Sequence, residues 1–252
     1  MPVHRIIPFS NVEGLGNRTS IFVQGCNANC LYCHNSETIP MASDDSQQYS
    51  VDELVEVIKG NKPFIRGITV SGGEATIYHK FLTELFKKVH ELGLTCYVDT
   101  NGFFDRDVLN DLIEVTDKFL FDIKGIGMSL ETLCFSDFLQ DGKNIVNSHL
   151  QRFSVDNEHF WNLDELIKLN KVEEIRLVYI KGQFDEKHII REIANKLKSH
   201  PEIALKLIRV HGRGLPKERA FKLKGFIPIK SELDDLAAFA KSEGLVNIVM
   251  IY

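Results

Sequence analysis

The chain has 252 residues, of which 44% are hydrophobic and 26% are charged, a composition ordinary for a soluble globular protein. Its formal net charge of −5 gives no indication of nucleic-acid binding. No apolar stretch reaches the roughly 18 residues of a membrane-spanning helix, and residues 1–16 lack the pattern of a signal peptide. We therefore predict a cytoplasmic protein without a nucleic-acid or membrane partner.

Short apolar runs alternate with longer amphipathic segments along the chain. The apolar runs predict buried strands at residues 20–23, 67–70, 94–98, 119–123, 175–180 and 205–210. The amphipathic segments predict helices at residues 51–58, 81–92, 108–115, 163–169, 189–197 and 233–239. Six strand–helix repeats predict an α/β fold with a parallel sheet and helices outside it, as in a partial (β/α)6 barrel. An open doubly wound sheet is the alternative, and we expect one domain over residues 1–252.

Local signals support several of these elements. Ser50 and Glu53 form a capping box before the first helix, and Gly93 is a typical helix stop after the second. Residues 246–251 predict an extra strand. Residues 127–158 are polar and weakly periodic, so they predict either a lid or partner-binding insertion, or a solvated loop without a role.

Three cysteines directly after the first predicted strand are the strongest chemical signal. Cys26, Cys30 and Cys33 lie within eight residues, and in a reducing compartment this spacing favours a metal site over disulfides. Three thiolates can hold three irons of a four-iron cubane and leave the fourth iron open to a small molecule. The alternative is a zinc site with His34 as fourth ligand, although this spacing is unusual for a zinc finger.

Polar motifs follow four more of the predicted strands. They are Ser71-Gly72-Gly73-Glu74, Asp99-Thr100-Asn101-Gly102, Asp122-Ile123-Lys124 and Val210-His211-Gly212. Each motif alone is typical of a turn, a helix cap or a solvated residue. Because the carboxyl ends of parallel strands meet at one edge of a sheet, the motifs together predict a ligand site.

Three further residues receive simpler interpretations. Arg176 lies inside the fifth predicted strand, where an unpaired cation is costly, so we expect it to pair with a carboxylate of the protein or of a ligand. Cys96 lies in the third predicted strand and is interpreted as inert packing. Cys134 is interpreted as a loop thiol.

The spacing CxxxCxxC with an aromatic residue before the last cysteine, followed by Gly-Gly-Glu, resembles the radical S-adenosylmethionine (SAM) superfamily. The chain is further similar to the activating enzymes of glycyl radical enzymes, typified by pyruvate formate-lyase activating enzyme and closest to the YjjW-type activases. The segments that carry this similarity are 7–10, 14–18, 24–35, 69–75, 99–102 and 121–124, with a continuation over 176–211.

The resemblance implies one 4Fe–4S cluster on Cys26, Cys30 and Cys33 at the mouth of a partial (β/α)6 barrel, with SAM bound to the open iron. The residues whose positions match SAM contacts are Tyr32, His34, Gly72, Gly73, Glu74, Asp122, Lys124 and His211. Asp99 and Thr100 match positions that help to bind a monovalent cation near the SAM carboxylate. We add Arg176 to the expected cofactor-binding residues because of its place inside a strand.

The resemblance also implies the reaction. One electron from a flavodoxin- or ferredoxin-type donor reaches the cluster and cleaves SAM into methionine and a 5′-deoxyadenosyl radical. That radical removes a hydrogen from the Cα of a glycine on a partner glycyl radical enzyme, in an anaerobic setting. We expect the protein to be a monomer. One alternative is a radical SAM enzyme that acts on a small molecule, and another is a zinc-stabilised binding module without catalysis.

The sequence departs from the family pattern in three places. The usual Gly-Pro-Gly near the N-terminus is replaced by Gly14-Leu15-Gly16. Residues 39–50 contain no cysteine where many relatives insert a ferredoxin-like segment, so we predict no auxiliary cluster. Residues 127–158 are longer than their counterpart in pyruvate formate-lyase activating enzyme, which leaves the choice of partner open.

Overall fold

The computed structural model describes residues 1–135 and 155–252, and the chain forms two compact units. The first unit comprises residues 1–27, 37–121 and 157–173. The second comprises residues 28–36, 122–156 and 174–252, within the described ranges. The single domain expected from the sequence stays a prediction.

Among the described helices, none combines the length and the apolar character needed to cross a membrane.

Strands and helices alternate along most of the chain. The strands are β1 (Pro2–Ser10), β2 (Arg18–Val23), β3 (Gln47–Gln48), β4 (Gly67–Gly72), β5 (Thr95–Thr100), β6 (Lys118–Ile123), β7 (Val172–Tyr179), β8 (Ala204–Arg209) and β9 (Ile248–Ile251). The helices are α1 (Val51–Asn61), α2 (His79–Glu91), α3 (Arg106–Ile113), α4 (Met128–Leu130), α5 (Val155–Lys168), α6 (Glu186–Leu197), α7 (Lys217–Leu223) and α8 (Lys230–Ser242).

The first unit is built on a mixed sheet whose central strands are parallel. In sheet order its strands are β3, β1, β2, β4, β5 and β6. β1 runs antiparallel to both β2 and β3, whereas β2, β4, β5 and β6 are parallel to one another. Val23 at the end of β2 pairs with Gly72 at the end of β4, so the residues that follow these strands emerge at the same sheet edge.

The second unit contains the parallel strands β7, β8 and β9. β7 pairs with β8 from Glu174 to Tyr179, and β8 pairs with β9 over four residues of each strand. α4 lies near the start of the polar segment 127–158 and is followed directly by a π-helical turn, Glu131–Phe135. Residues 136–154, which include most of the predicted lid or partner-binding insertion, lie outside the described residues.

Helical periodicity explains how the helices cover the sheet. In α2 the residues Leu82, Leu85, Phe86 and Val89 follow the spacing of one helical face, and each has 0% exposed side-chain surface. The helix ends at Glu91, and Gly93 follows with a φ of 73°, the left-handed conformation typical of a helix stop. The predicted stop is therefore confirmed.

A buried arginine secures the start of the central strands. Arg18, the first residue of β2, donates hydrogen bonds to Thr69 Oγ1 at 2.8 Å, the Ile68 carbonyl at 2.6 Å and the Thr95 carbonyl at 3.1 Å. Its guanidinium carbon also lies 3.5 Å from the ring centroid of Tyr97. The Arg18 guanidinium is thus satisfied by neutral hydrogen-bond acceptors on β4 and β5 and by the aromatic face of Tyr97.

The predicted α/β class and all six predicted strands are confirmed, as is the extra strand, which is β9. The capping box is also confirmed, because the Glu53 N–H donates to Ser50 Oγ at 3.2 Å and the Ser50 N–H donates to Glu53 Oε2 at 2.7 Å. Four of the described strands and helices were not predicted, namely β1, β3, α4 and α7. β1 mixes buried and exposed residues without regular alternation, and α7 has only seven residues.

Candidate active site

A glycine turn at the end of β4, formed by Gly72 and Gly73, supports the first part of the cysteine loop, residues 24–34. The Gly73 N–H donates to the Val23 carbonyl at 2.9 Å, and the Glu74 N–H donates to the Gly25 carbonyl at 2.9 Å. A Cβ on Gly73 would lie 2.0 Å from the Gly25 carbonyl oxygen, closer than any side-chain carbon can approach. Glycine at this position therefore allows the two loops to touch, immediately before Cys26.

The buried Glu74 carboxylate accepts hydrogen bonds from several groups of the same region. Its side chain is 1% exposed, and Oε1 accepts from the Thr76 N–H at 3.2 Å, the Thr76 hydroxyl at 2.6 Å and the Thr100 hydroxyl at 2.7 Å. Oε2 accepts from the Asn101 N–H at 2.8 Å. Burial raises the pKa of Glu74, although these hydrogen bonds oppose the shift. Among the described residues, Oε1 has three donors and Oε2 has one, so Oε2 has room for another donor.

The Glu74→Gln variant tests this organising role. An amide keeps only one acceptor oxygen, so a buried donor on Thr100 or Asn101 loses its partner. We expect the metal-free protein to lose about 1–3 kcal/mol of unfolding free energy, measured by urea denaturation. The control is Glu84→Gln, because Glu84 is exposed on α2 and its loss should change stability by less than about 0.5 kcal/mol. Equal stability of the two variants would contradict this role.

The turn after β5 connects Glu74 with the cysteine loop. Asn101 Nδ2 donates to Asn27 Oδ1 at 2.9 Å and lies 3.9 Å from Cys26 Sγ. Asn27 Nδ2 in turn donates to the Phe103 carbonyl at 2.6 Å. Asn101 is therefore a site residue that the sequence analysis missed, although it stands inside a motif that was singled out.

The two residues predicted to help bind a cation lie in the same unit and have protein partners. The Ser71 hydroxyl donates to Asp99 Oδ2 at 2.8 Å. The Thr100 hydroxyl donates to Glu74 and accepts from the Gly102 N–H at 3.1 Å. The first unit thus brings together Cys26, the glycine turn, Glu74, Asp99 and Thr100, as predicted from their places after parallel strands.

The second unit holds the rest of the cysteine loop against the π-helical turn. The Asn29 N–H donates to the Cys134 carbonyl at 2.7 Å, and the Leu31 N–H donates to the Leu133 carbonyl at 2.8 Å. Within the loop, the Cys33 N–H donates to the Cys30 carbonyl at 3.1 Å. The backbone around Cys30 is therefore fixed by hydrogen bonds on both sides.

A buried arginine on α7 also holds this loop. Arg219 is 4% exposed and donates one hydrogen bond to the Cys30 carbonyl and another, at 2.6 Å, to Asn29 Oδ1. Its positive charge favours the thiolate forms of Cys30 and Cys33. Sequence reasoning missed Arg219 because α7 was not predicted, and a lone arginine in a polar stretch gives no other signal.

We expect Arg219→Met to weaken metal binding by the cysteine loop. The variant removes two hydrogen bonds and a buried charge, so we expect a chelator to release iron from the reconstituted protein about 10–100-fold faster. The control is Lys217→Met, because Lys217 is exposed on the same helix. Release at the same rate from both variants would show that Arg219 does not stabilise the site.

Tyr32, Asp122 and Lys124 come together in the second unit, as predicted. Lys124 Nζ lies 2.6 Å from Asp122 Oδ2, and the Tyr32 hydroxyl donates to the Lys124 carbonyl at 3.4 Å. Burial alone would lower the pKa of Lys124. The negative charge of Asp122 and the nearby Cys30 and Cys134 side chains have a larger effect, so the pKa of Lys124 is raised. Lys124 therefore stays a cation beside Cys30.

His34 and His211 form a pair in this unit. His34 Nε2 lies 3.1 Å from His211 Nδ1 and 3.0 Å from the His211 carbonyl oxygen. Burial lowers the pKa of His211, and the neighbouring His34 and Arg213 lower it further. His34 is exposed and His211 is half-buried, so solvent reaches both residues of the pair.

The carboxylate partner expected for Arg176 is Glu174. Arg176 Nε lies 2.6 Å from Glu174 Oε1, and Lys206 Nζ lies 2.6 Å from Glu174 Oε2. Glu174 is 5% exposed, whereas Arg176 and Lys206 are half-buried, so one buried carboxylate holds two partly exposed cations. The pairing prediction is confirmed through a protein carboxylate, and a cofactor contact by Arg176 stays a prediction.

The two remaining cysteines are both fully buried. Cys96 packs inside β5, and its thiol donates to the Phe86 carbonyl at 3.8 Å, which agrees with a packing role. Cys134 is also 0% exposed and lies 3.8 Å from the Tyr32 hydroxyl. Its interpretation as a simple loop thiol was therefore wrong, because it lies in a π-helical turn packed against the cysteine loop.

The donor set suits an anionic metal cluster. All five cysteines are free thiols. The pKa of Cys30 is lowered, chiefly by a hydrogen bond from the Cys134 side chain, with Lys124 and Arg219 adding to the shift. Desolvation raises the pKa of Cys33 to about 11, so this thiol keeps its proton at neutral pH until a metal displaces it.

Comparison with known proteins agrees with these features. The model of the radical SAM superfamily matches residues 20–193. A protein of Haemophilus influenzae named "Putative glycyl-radical enzyme activating enzyme" is 49% identical over 257 aligned residues, covering 100% of this chain and 97% of that protein. The pyruvate formate-lyase-activating enzyme of Staphylococcus aureus is 28% identical, covering 94% of this chain and 89% of that enzyme.

Among solved structures, Streptococcus suis SuiB bound to S-adenosylmethionine superposes with a TM-score of 0.57 at 13% identity. The match covers 90% of this chain and 48% of the SuiB chain, and it supports the predicted fold class. The family model covers well over half of the chain, and the Haemophilus relative spans all of it. The chain therefore belongs to the radical SAM superfamily.

Proposed function

We propose that this protein activates a glycyl radical enzyme by abstracting hydrogen from the Cα of one of its glycines. The observation that carries the proposal is the 49% identity, over the full chain, with a relative named as an activating enzyme of this class. The 28% identity with pyruvate formate-lyase-activating enzyme over 94% of the chain supports it. Membership of the radical SAM superfamily implies a 4Fe–4S cluster and SAM, which argues against the zinc alternatives.

Cys26, Cys30 and Cys33 are the proposed ligands of the cluster. When bound, the reduced cluster and SAM together supply a 5′-deoxyadenosyl radical, which is the chemistry that the side chains themselves lack. The protein contributes a fixed loop. The glycine turn positions the backbone before Cys26, and Arg219 fixes the backbone at Cys30. Lys124 and Arg219 offset the negative charge of the thiolates.

The proposed SAM contacts are residues of the cysteine loop, of the motifs at the strand ends and of β7. They are Tyr32, His34, Gly72, Gly73, Glu74, Asp122, Lys124, Arg176 and His211. Within this set, Glu74 suits an ammonium group through Oε2, which accepts one hydrogen bond from the part of the chain that the structure describes. Gly72 and Gly73 suit close approach of a ligand to the backbone, because neither carries a side chain.

We further propose a single cluster, since residues 39–50 contain no cysteine. Electrons then come from an external flavodoxin- or ferredoxin-type donor. Asp99 and Thr100 are the proposed ligands of a monovalent cation beside the SAM carboxylate. The protein works as a monomer in an anaerobic cytoplasm, and its glycyl radical partner docks close to the cysteine loop.

Anaerobic reconstitution with iron and sulfide tests the first part of the proposal. We expect broad absorbance at about 400 nm that dithionite bleaches, followed by release of 5′-deoxyadenosine from SAM. A colourless protein that binds zinc and leaves SAM intact would overturn it. Rapid turnover of a small molecule in the absence of any protein partner would favour the alternative radical SAM enzyme.

A further inference from the structure

The turn after β5, residues 101–104, lies against α5 in the first unit. Gly102 has a φ of 78°, and a Cβ at this position would lie 2.6 Å from His159 Cδ2, so glycine allows the helix and the turn to touch. The rings of His159 and Phe103 lie 4.9 Å apart, measured between their centroids. His159 is 1% exposed, so this contact between α5 and the turn is buried.

Asn162, about one helical turn further along α5, holds the backbone of the same turn. It is 1% exposed, and its Nδ2 donates to the Gly102 carbonyl at 2.9 Å and to the Phe104 carbonyl at 2.8 Å. Because both acceptors are carbonyl oxygens, only one orientation of the amide forms these hydrogen bonds. Among the described residues, Asn162 Oδ1 has no hydrogen-bond partner. The cost of this buried acceptor offsets much of the stability that two neutral hydrogen bonds provide, so stability alone does not explain an asparagine here.

Asn101 connects the turn to the cysteine loop. Its Oδ1 accepts from the Phe103 N–H at 2.9 Å, which fixes the side chain relative to the turn. Its Nδ2 donates to Asn27 Oδ1 at 2.9 Å and lies 3.9 Å from Cys26 Sγ. Asn27 Nδ2 donates in return to the Phe103 carbonyl at 2.6 Å. An amide nitrogen carries two hydrogens, so Asn101 can donate to Asn27 and to Cys26 at the same time.

We propose that Asn162 is a positioning residue that acts through Asn101: by fixing the turn after β5, it holds the Asn101 amide where it donates a hydrogen bond to Cys26 Sγ. The inference rests on the proposed function, because it requires Cys26 to ligate the cluster. As a ligand, Cys26 is a thiolate and accepts the hydrogen bond. Hydrogen bonds to the ligand sulfurs are among the factors that set the potential of iron–sulfur clusters. Because reduction adds negative charge, this donor favours the reduced form.

Hydrogen–deuterium exchange in the metal-free protein tests the first step, from Asn162 to the turn. Asn162→Leu keeps a side chain of similar size and lacks both donors. We expect it to speed exchange of the Phe103 amide about tenfold, because the turn opens more often once its carbonyls lose their donor. The control is Asn110→Leu, because Asn110 is exposed on α3 and its replacement should leave this exchange rate unchanged.

A redox titration of the reconstituted protein tests the second step, from Asn101 to Cys26. With the reduced cluster measured by electron paramagnetic resonance at a fixed ambient potential, we expect Asn101→Ala to lower the ratio of reduced to oxidised cluster about tenfold, which corresponds to about 59 mV for a one-electron couple. Asn162→Leu should lower the ratio by a smaller factor. The double variant should match Asn101→Ala, because both substitutions act through the same hydrogen bond. Asn110→Leu should match the unaltered protein.

Each outcome decides one step. Phe103 exchange in Asn162→Leu at the rate of the unaltered protein would overturn the role of Asn162, and if this variant does not fold, Asn162→Ala takes its place. Equal redox ratios for Asn101→Ala and the unaltered protein, with full iron content in both, would overturn the hydrogen bond to Cys26. If Asn101→Ala does not hold iron, Asn162→Leu carries the titration, and a ratio that does not fall would overturn the proposal. An unaltered protein without a reducible cluster would instead overturn the proposed function and this inference with it.

Discussion

Cys33→Ser is expected to reduce both the iron content of the reconstituted protein and the release of 5′-deoxyadenosine to background. A serine oxygen does not replace a thiolate as a ligand for iron in such clusters, and with Cys26 and Cys30 alone the loop has too few thiols to hold a four-iron cubane. Iron and sulfide analysis together with quantification of 5′-deoxyadenosine under reducing conditions provides the measurement.

The matched control is Cys96→Ser, which replaces a buried cysteine in β5 and should retain the cluster. A modest loss of stability in this control is expected, because the serine hydroxyl replaces a packed thiol. Persistence of a reducible cluster and of SAM cleavage in Cys33→Ser would contradict the proposed ligand set.

Gly73→Ala is expected to lower the rate of SAM cleavage about 100-fold. The added Cβ would lie 2.0 Å from the Gly25 carbonyl oxygen and 2.8 Å from the Thr38 carbonyl oxygen, and backbone atoms cannot yield as a flexible side chain would. Relief of the clash must move the backbone before Cys26, and displacement of a reacting geometry by about 1 Å is enough for such a loss. Single-turnover production of 5′-deoxyadenosine measures it.

Gly60→Ala is the control for this effect. Gly60 lies in α1 with open space around the position of an added Cβ, so alanine should be tolerated there and should stabilise the helix by about 0.5–1 kcal/mol. If Gly73→Ala cleaves SAM as fast as Gly60→Ala, close contact between the glycine turn and the cysteine loop is not required for the reaction.

Much of the fold follows from local patterns in the sequence. Six buried strands were predicted because β-branched and apolar runs are short and separated by amphipathic segments, and the structure contains each of them. The first helix was predicted through Ser50 and Glu53, whose reciprocal hydrogen bonds are present. β1 gave no such signal, because as an antiparallel strand between β2 and the very short β3 it is only partly buried.

The candidate site was predictable where a motif follows a strand. The glycine turn, Asp99 and Thr100 were found because polar residues end successive parallel strands, and the first unit brings them to the same region as Cys26. Arg219 and Cys134 were missed. Both act on the loop through contacts distant in sequence, Arg219 from a short helix and Cys134 from an irregular turn, and neither element has a periodic pattern.

The central claim, activation of a glycyl radical enzyme, is tested most directly with a partner enzyme deuterated at the glycine Cα. The reconstituted protein, dithionite, SAM and the glycyl radical enzyme encoded by the same genome are incubated anaerobically and examined by electron paramagnetic resonance and mass spectrometry. We predict a persistent radical on the partner and transfer of one deuterium into 5′-deoxyadenosine. Release of unlabelled 5′-deoxyadenosine at full rate, with no radical on the partner, would contradict the claim.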